Sequence, residues 1–156
     1  MGQPLVKTTY YWNNLLVGAI NPALAAPLLL SAAKVGLGTA ILTPSPATVY
    51  SDLVEATYVG YTESATVVWE TPVNETDGSQ TSFSPSHLFR ATSNATPNTV
   101  TCLFVTDGVA SPSTGILGSG NLEEPFDFVN PGDGFSVTVG WNEGLATPNS
   151  DFVIAT

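Results

Sequence analysis

The stretch Asn130–Trp141, NPGDGFSVTVGW, decides the fold class of this chain. After a turn rich in Gly and Pro, the large apolar residues Phe135, Val137, Val139 and Trp141 alternate with small or polar ones. Successive side chains of a β-strand point to opposite faces, so this period of two places the apolar set on one face. The stretch predicts a strand with one face in a core and the other in a polar environment.

The rest of the chain has the punctuation that short strands and turns require. The 156 residues include 14 Gly and 12 Pro, and short apolar runs lie between these turn formers. The pattern predicts an all-β fold, an antiparallel β-sandwich of jelly-roll or immunoglobulin-like type with one or two short helices. Besides the opening stretch, the predicted strands are Val35–Thr43, Ala65–Glu70, His87–Ala91, Thr99–Thr106 and Pro125–Val129.

Three polar stretches are predicted to be turns or loops. Glu75–Ser82 is built on Asp77-Gly78, and a second Asp-Gly at 107–108 is expected to close the strand before it. Both residues of an Asp-Gly pair tolerate positive φ, which makes it a strong turn former. Ser111–Asn121, rich in Gly and Ser, is expected to be a loop.

Residues 1–34 differ from the rest and are predicted to form an N-terminal arm, with the sandwich domain spanning residues 35–156. Asn21 and Pro22 suit the start of a short helix, and Pro27 should distort it. These breaks also argue against a membrane span or a cleaved signal segment. We expect the arm to anchor the protein on a neighbouring subunit and to be separable from the sandwich. The expected interface residues are Tyr10, Tyr11, Trp12, Leu15, Leu16, Ile20, Leu24, Leu28, Leu29 and Leu30.

The charge balance limits the possible partners. The chain has 3 Lys plus Arg and 13 Asp plus Glu, a formal net charge of −10. This excess repels phosphate groups, so neither nucleic acid nor an anionic membrane is an expected partner. Charged residues make up only 10% of the chain, well below the roughly 25% of ordinary soluble domains. Such a surface favours a subunit that is covered by neighbours, and we expect a homo-oligomer.

The segment Ala47–Thr62, ATVYSDLVEATYVGYT, raises the possibility of sugar chemistry. Asp52 and Glu55 could act as the pair of carboxylates that glycosidases place on either side of a sugar bond. Acids three residues apart are also common on any solvated face. We favour the second interpretation, with Leu53, Ala56 and Tyr58 facing inward and the acids facing water.

Other candidate sites are weaker still. His87 is the single histidine, and a triad with Ser84 or Ser86 lacks the usual sequence context of such a nucleophile. Cys102 lies in an apolar run and is expected to be a buried, inert thiol. We expect no enzyme activity and no cofactor. Two possibilities stay open, a calcium site built from Asp127, Asp133 and Glu143, and a sugar-binding platform built from Trp12, Trp69 and Trp141.

Four stretches, taken in order, resemble small β-rich structural proteins of tailed bacteriophages and related metagenomic sequences. They are ILTPSPATVYSDLVEATYVGY, VVWETP, PNTVTCLFVTD and PGDGFSVTVGW, and together they cover residues 41 to 141. The residues that carry the likeness are Asp52, Leu53, Glu55, Ala56, Tyr58, Gly60, Tyr61, Trp69, Asn98, Phe104, Val105, Thr106 and Asp107.

The resemblance implies a component of the virion without catalysis, and it does not distinguish the head from the tail or fibre. Our leading hypothesis is a cement or decoration subunit on the outer surface of the phage capsid, in contact with the major capsid protein. The alternative is a tail, fibre or adhesin module that binds carbohydrate on the host surface, and a hydrolase is the third class.

Overall fold

Strands make up nearly all the regular structure of the described residues. The computed structural model describes residues 3–13, 32–40, 42–64, 66–74, 76, 80–111, 114–143 and 151–155. Residues 9–13 are helical, and Tyr50–Asp52 form one 3₁₀ turn. In these ranges the strands are β1 Gln3–Lys7, β2 Lys34–Gly38, β3 Val73–Asn74, β4 Gln80–Phe83, β5 His87–Arg90, β6 Asn98–Ser111, β7 Thr114–Phe128, β8 Gly134–Glu143 and β9 Asp151–Ala155.

The strands form two antiparallel sheets, which confirms the predicted all-β, sandwich-like fold. One sheet, here called the β6 sheet, has the order β2, β6, β7 and the end of β1. The other, the β8 sheet, has β8 between β9 on one edge and β4 and β5 on the other, and β3 pairs with β4. Residues Gln3–Leu5 pair with β9 while Val6 and Lys7 pair with β7, so β1 belongs to both sheets.

The core lies between the sheets, and the opening stretch contributes to it as predicted. On β8, Phe135, Val137, Val139 and Trp141 are buried, whereas Ser136 and Thr138 are half-buried. From the β6 sheet, Leu103 and Val105 join the same apolar cluster. Trp69 is only partly buried and packs against this cluster.

The predicted loop at Ser111–Asn121 is wrong, because β7 runs from Thr114 to Phe128 and also includes most of the predicted Pro125–Val129 strand. Gly118 lies within this strand, and a Cβ added to it would make an ordinary van der Waals contact 3.5 Å from Trp141 Cη2. The small residues of this segment therefore belong to a strand and not to a loop.

The predicted turn at Asp107-Gly108 is also wrong. Both residues lie inside β6, at a register shift between Thr106 and Ser111. Gly108 has φ +78°, a conformation that glycine adopts without strain. The Asp-Gly pair therefore lies in an irregular part of a long strand, and the strand continues past it.

Of two other predicted strands, one is shorter than expected and the other is not formed by the residues described. The strand expected at Val35–Thr43 is β2, which ends at Gly38. Residues 66–70 of the predicted Ala65–Glu70 strand are irregular, although the Glu70 N–H donates to Phe83 O at 2.8 Å. Both sides of the predicted Asp77-Gly78 turn are in place as the antiparallel pair β3–β4, but the two turn residues lie outside the described ranges.

Residues 3–7, expected in an arm separate from the sandwich, form a strand between β7 and β9. Leu5 on this strand is fully buried in the core. The apolar segment from Leu15 to Leu30, with its predicted helix, lies outside the described residues. Among the helical residues that the structure describes, no run is long and apolar enough to cross a membrane.

Candidate functional site

All three tryptophans of the chain meet in one group of side chains at the end of β1. Trp141 packs edge-to-face against Tyr11 at 5.1 Å and against Trp69 at 6.1 Å between ring centroids. Trp12 packs against Tyr11 at 5.3 Å. We call Lys7, Tyr11, Trp12, Trp69 and Trp141 the tryptophan cluster.

Lys7 is the cation of this cluster. Its Nζ lies 5.5, 5.3 and 5.2 Å from the ring centroids of Tyr11, Trp12 and Trp141. Lys7 is buried, and removing an ammonium group from water is costly unless nearby groups compensate. Aromatic faces within about 6 Å attract a cation and provide part of that compensation. Lys7 is thus the positive centre of an aromatic box between the two sheets.

The structure separates the three aromatic residues that were expected to form one interface. Tyr11 is buried, and its hydroxyl oxygen accepts a hydrogen bond from Trp141 Nε1 at 3.3 Å. Tyr10 is half-buried and its hydroxyl donates to Asp107 Oδ2 at 2.6 Å. The pKa of Tyr10 is raised to about 12, mainly by burial and in addition by the Asp107 carboxylate. Only Trp12, 44% exposed, offers a large aromatic surface to a partner.

The acids of the Ala47–Thr62 segment have separate structural roles. Both carboxylate oxygens of Glu55 accept from tyrosines, from Tyr50 OH at 2.7 Å and from Tyr61 OH at 2.8 Å. Asp52 instead accepts from the Val49 N–H at 3.0 Å and closes the 3₁₀ turn. Asp52 and Glu55 therefore bond to different partners, and their hydrogen bonds do not join them in one carboxylate pair.

Glu55 also supports the edge of β2 that faces away from β6. The Tyr61 hydroxyl, which donates to Glu55, accepts from the Leu37 N–H at 3.0 Å. Beside it, Ser64 Oγ accepts from the Val35 N–H at 2.8 Å. Burial raises the pKa of Tyr61 well above its usual value, so the hydroxyl keeps its proton. The backbone N–H groups of Ala56 and Ser64 also donate to Leu37 O and Val35 O, each at 2.9 Å. Side chains and backbone groups of residues 55–64 together thus take the place of a strand beside β2.

Glu63 belongs to the same end of the β6 sheet. Burial raises the pKa of the Glu63 carboxyl, and the charges of Glu55 and Asp107 raise it further, while Lys34 lowers it. The carboxylates of Glu55 and Asp107 therefore lie close enough to Glu63 to disfavour its charged form.

Ser84 is part of the β8 sheet and is not paired with His87 as a nucleophile would be. Its N–H donates to Val139 O at 2.8 Å, and its Oγ accepts from the Val139 N–H at 2.9 Å. The same hydroxyl donates to Pro85 O at 2.9 Å. His87 Nε2 is buried without a hydrogen-bond partner among the described residues, and burial lowers the pKa of this imidazole.

The acids considered for calcium are not brought together. Asp127 accepts from Thr99 Oγ1 at 2.6 Å. Asp133 accepts from the N–H groups of Val129 and Asn130 at 2.8 and 2.7 Å, and these bonds lower the pKa of its carboxyl. Glu143 pairs through its backbone with Gln80. Within the described ranges, no group of three or more His, Cys, Asp or Glu side chains could hold a metal ion.

Cys102 is buried, as predicted. Burial raises the pKa of its thiol to about 11, so the nucleophilic thiolate is scarce at neutral pH.

Several large apolar side chains are exposed instead of buried. Among the described residues these are Trp12, Val54, Val59, Val68, Val73, Leu88 and Val129. Val68 is the most exposed at 73% and Leu88 follows at 64%. The other residues expected at an interface, Leu15, Leu16, Ile20, Leu24, Leu28, Leu29 and Leu30, lie outside the described residues.

Sequence reasoning missed Lys7, Tyr50 and Tyr61 as organising residues. A signal for Lys7 was present, because it stands two positions after Leu5 and therefore faces the same side of the strand. No comparable signal marks Tyr50 and Tyr61. Their hydrogen bonds to Glu55, and the bond between Tyr61 and Leu37 of β2, are known only from the folded chain.

Comparisons with known proteins assign no family to this chain. No protein-family model matches it, and no curated protein matches it either. A function therefore has to come from its own residues and contacts.

Proposed function

We propose that this chain is a non-enzymatic structural subunit of a bacteriophage particle, a cement or decoration protein on the outer surface of the capsid. The particle is suggested by the resemblance of residues 41–141 to small phage structural proteins. The observation that carries the contact role is the set of exposed apolar side chains, from Trp12 to Val129, on a chain with only 10% charged residues.

A surface of this kind suits a protein that stabilises a lattice by contact. A stable contact buries about 800 Å² per partner, and exposed valine and leucine side chains supply apolar area without the cost of removing charges from water. A subunit that binds only the assembled shell stabilises that shell by mass action. The partner is the major capsid protein at the seams between its copies.

Purified particles of the virus that encodes this chain provide the test. Mass spectrometry should find the chain in them at a stoichiometry related to the capsid lattice, and cryo-electron microscopy should place its density on the shell. Val68→Asp should lower the occupancy, because it places a charge on the most exposed apolar side chain. Thr57→Asp, on another exposed residue, is the matched control. Particles that lack the chain would refute the proposal.

A second candidate function is favoured by the tryptophan cluster. A carbohydrate-binding module needs aromatic faces that reach solvent, and Trp12 and Trp69 are the members of the cluster that are not fully buried. Lys7 would hold Trp12 in place beside Trp141, because its Nζ lies over the rings of both tryptophans.

The second candidate is tested with bacterial surface polysaccharide in a native-gel shift and with a glycan array. Binding that is lost in Trp12→Ala and kept in Val54→Ala, a similarly exposed apolar residue, would support the carbohydrate function. No shift with any glycan, or equal loss in both variants, would exclude Trp12 as a sugar platform.

A further inference from the structure

Residues 60–64, here called the strap, lie beside β2 and include no fully buried residue. Before the strap, Tyr58 is buried and stacks on Phe128 at 4.0 Å between ring centroids. After the strap, Val67 is buried as well. Segments with little buried surface open locally at a lower free energy than the core does. The strap can therefore lift from β2 while Tyr58 and Val67 stay in place.

Hydrogen bonds from two residues of the strap close the edge of β2 that faces away from β6. The Ser64 N–H donates to Val35 O at 2.9 Å, and Ser64 Oγ accepts from the Val35 N–H at 2.8 Å. The Leu37 N–H donates to the Tyr61 hydroxyl at 3.0 Å. Lifting the strap breaks these bonds and exposes the backbone groups of β2 to solvent.

Glu63 lies next to Ser64 in the strap and is half-buried. Burial raises the pKa of its carboxyl, the charges of Glu55 and Asp107 raise it further, and Lys34 lowers it. A charged Glu63 is therefore poorly hydrated and close to two other acids while the strap is closed. Lifting the strap returns the side chain to water and takes it away from Asp107 of β6.

The tyrosines around Glu63 stay neutral while it titrates. Burial raises the pKa of Tyr50 and of Tyr61 well above the usual value, and nearby carboxylates add to this effect. Tyr10, which donates to Asp107, has a pKa raised to about 12 by burial and by that carboxylate. None of these hydroxyl groups ionises near neutral pH. A change of charge on the strap itself therefore comes from Glu63.

We propose that the strap is a pH-sensitive latch, which closes the edge of β2 while Glu63 is protonated and opens more often once Glu63 is charged. The closed form holds the Glu63 proton more tightly than the open form does, because the open form leaves the carboxyl in water. The free energy of opening is therefore highest below the ordinary value of 4.5 and falls as the pH rises through the raised pKa. This inference goes beyond the proposed function and does not depend on it.

Native-state hydrogen exchange of the full chain, followed by NMR from about pH 4 to about pH 8, tests the latch. The N–H groups of Val35 and Leu37 should exchange through a local opening that low concentrations of urea do not change. Val139, buried in β8, should be better protected and should exchange through global unfolding, which urea favours. The protection of Val35 and Leu37 should fall severalfold as the pH rises. Protection that does not change with pH, or a urea dependence equal to that of Val139, would overturn the proposal.

Three variants test whether Glu63 is the group that controls the latch. Glu63→Gln should remove the pH-dependent fall in protection at Val35 and Leu37, whereas Glu124→Gln, on an exposed acid, should keep it. Lys34→Gln should enlarge the fall, because it removes a cation that favours the charged form of Glu63. A fall that persists in Glu63→Gln, or one that Glu124→Gln also abolishes, would overturn the proposal.

Discussion

Ser84 shows how a single side chain can complete a sheet. β4 ends at Phe83 and β5 begins at His87, so β8 would lose its ladder partner in the gap. The Ser84 hydroxyl takes the place of a backbone carbonyl and accepts the Val139 N–H. The serine that sequence analysis considered as a nucleophile is therefore a part of the backbone hydrogen-bond network.

Ser84→Ala should destabilise the protein by about 1–3 kcal/mol, because it leaves the Val139 N–H without a partner in the buried sheet. Urea unfolding followed by tryptophan fluorescence measures the change. Ser86→Ala, on a neighbouring exposed serine, should be nearly neutral. Equal stability of the two variants would show that the Ser84 hydroxyl does not support the sheet.

At the scale of elements, β1 is the main difference between the expected and the observed molecule. It pairs with β9 through its first residues and with β7 through its last ones, and Thr8 continues the contact by donating to Leu117 O at 3.0 Å. The tryptophan cluster depends on this strand, because β1 carries Lys7 and leads directly into Tyr11 and Trp12. The start of the chain is thus an internal strand that builds the candidate site.

Leu5→Ala should cost about 2–5 kcal/mol, the usual range for a fully buried leucine, and removal of residues 1–14 should prevent folding. Chemical denaturation of the full-length variant measures the first effect. Leu88→Ala, on an exposed leucine, should change stability by less than about 0.5 kcal/mol. If Leu5→Ala were as mild as Leu88→Ala, the arm would be separable from the sandwich after all.

At the scale of the whole molecule, several charged side chains lie near one another at one end of the β6 sheet. Glu63 lies near Glu55, which precedes it in the same segment of the chain, near Lys34 of β2 and near Asp107 of β6. A raised carboxyl pKa means that the folded state binds the Glu63 proton more tightly than the unfolded chain does. The stabilisation from this group is complete at low pH and is lost as the pH rises through the raised pKa.

Glu63→Gln should therefore raise the melting temperature at pH 7, and the gain over the parent protein should shrink as the pH falls through the raised pKa and be absent below the ordinary value of 4.5. Thermal unfolding monitored by circular dichroism across this range measures the effect. Glu124→Gln removes the same charge from an exposed site and controls for the overall net charge. A gain that is independent of pH, or one matched by Glu124→Gln, would contradict this role of Glu63.

The sequence by itself determined the fold class, the buried face of β8 and the acidity of the surface. These properties depend on residues close together in the chain, where alternation and composition are sufficient. Only the tertiary structure decided that β1 lies inside the sheet and that Ser111–Asn121 belongs to β7. It also brought together Tyr11 and Trp141, which are 130 residues apart. These three features depend on pairing and burial between segments that are distant in the sequence. Neither the local apolar alternation nor the turn residues carry information about such contacts.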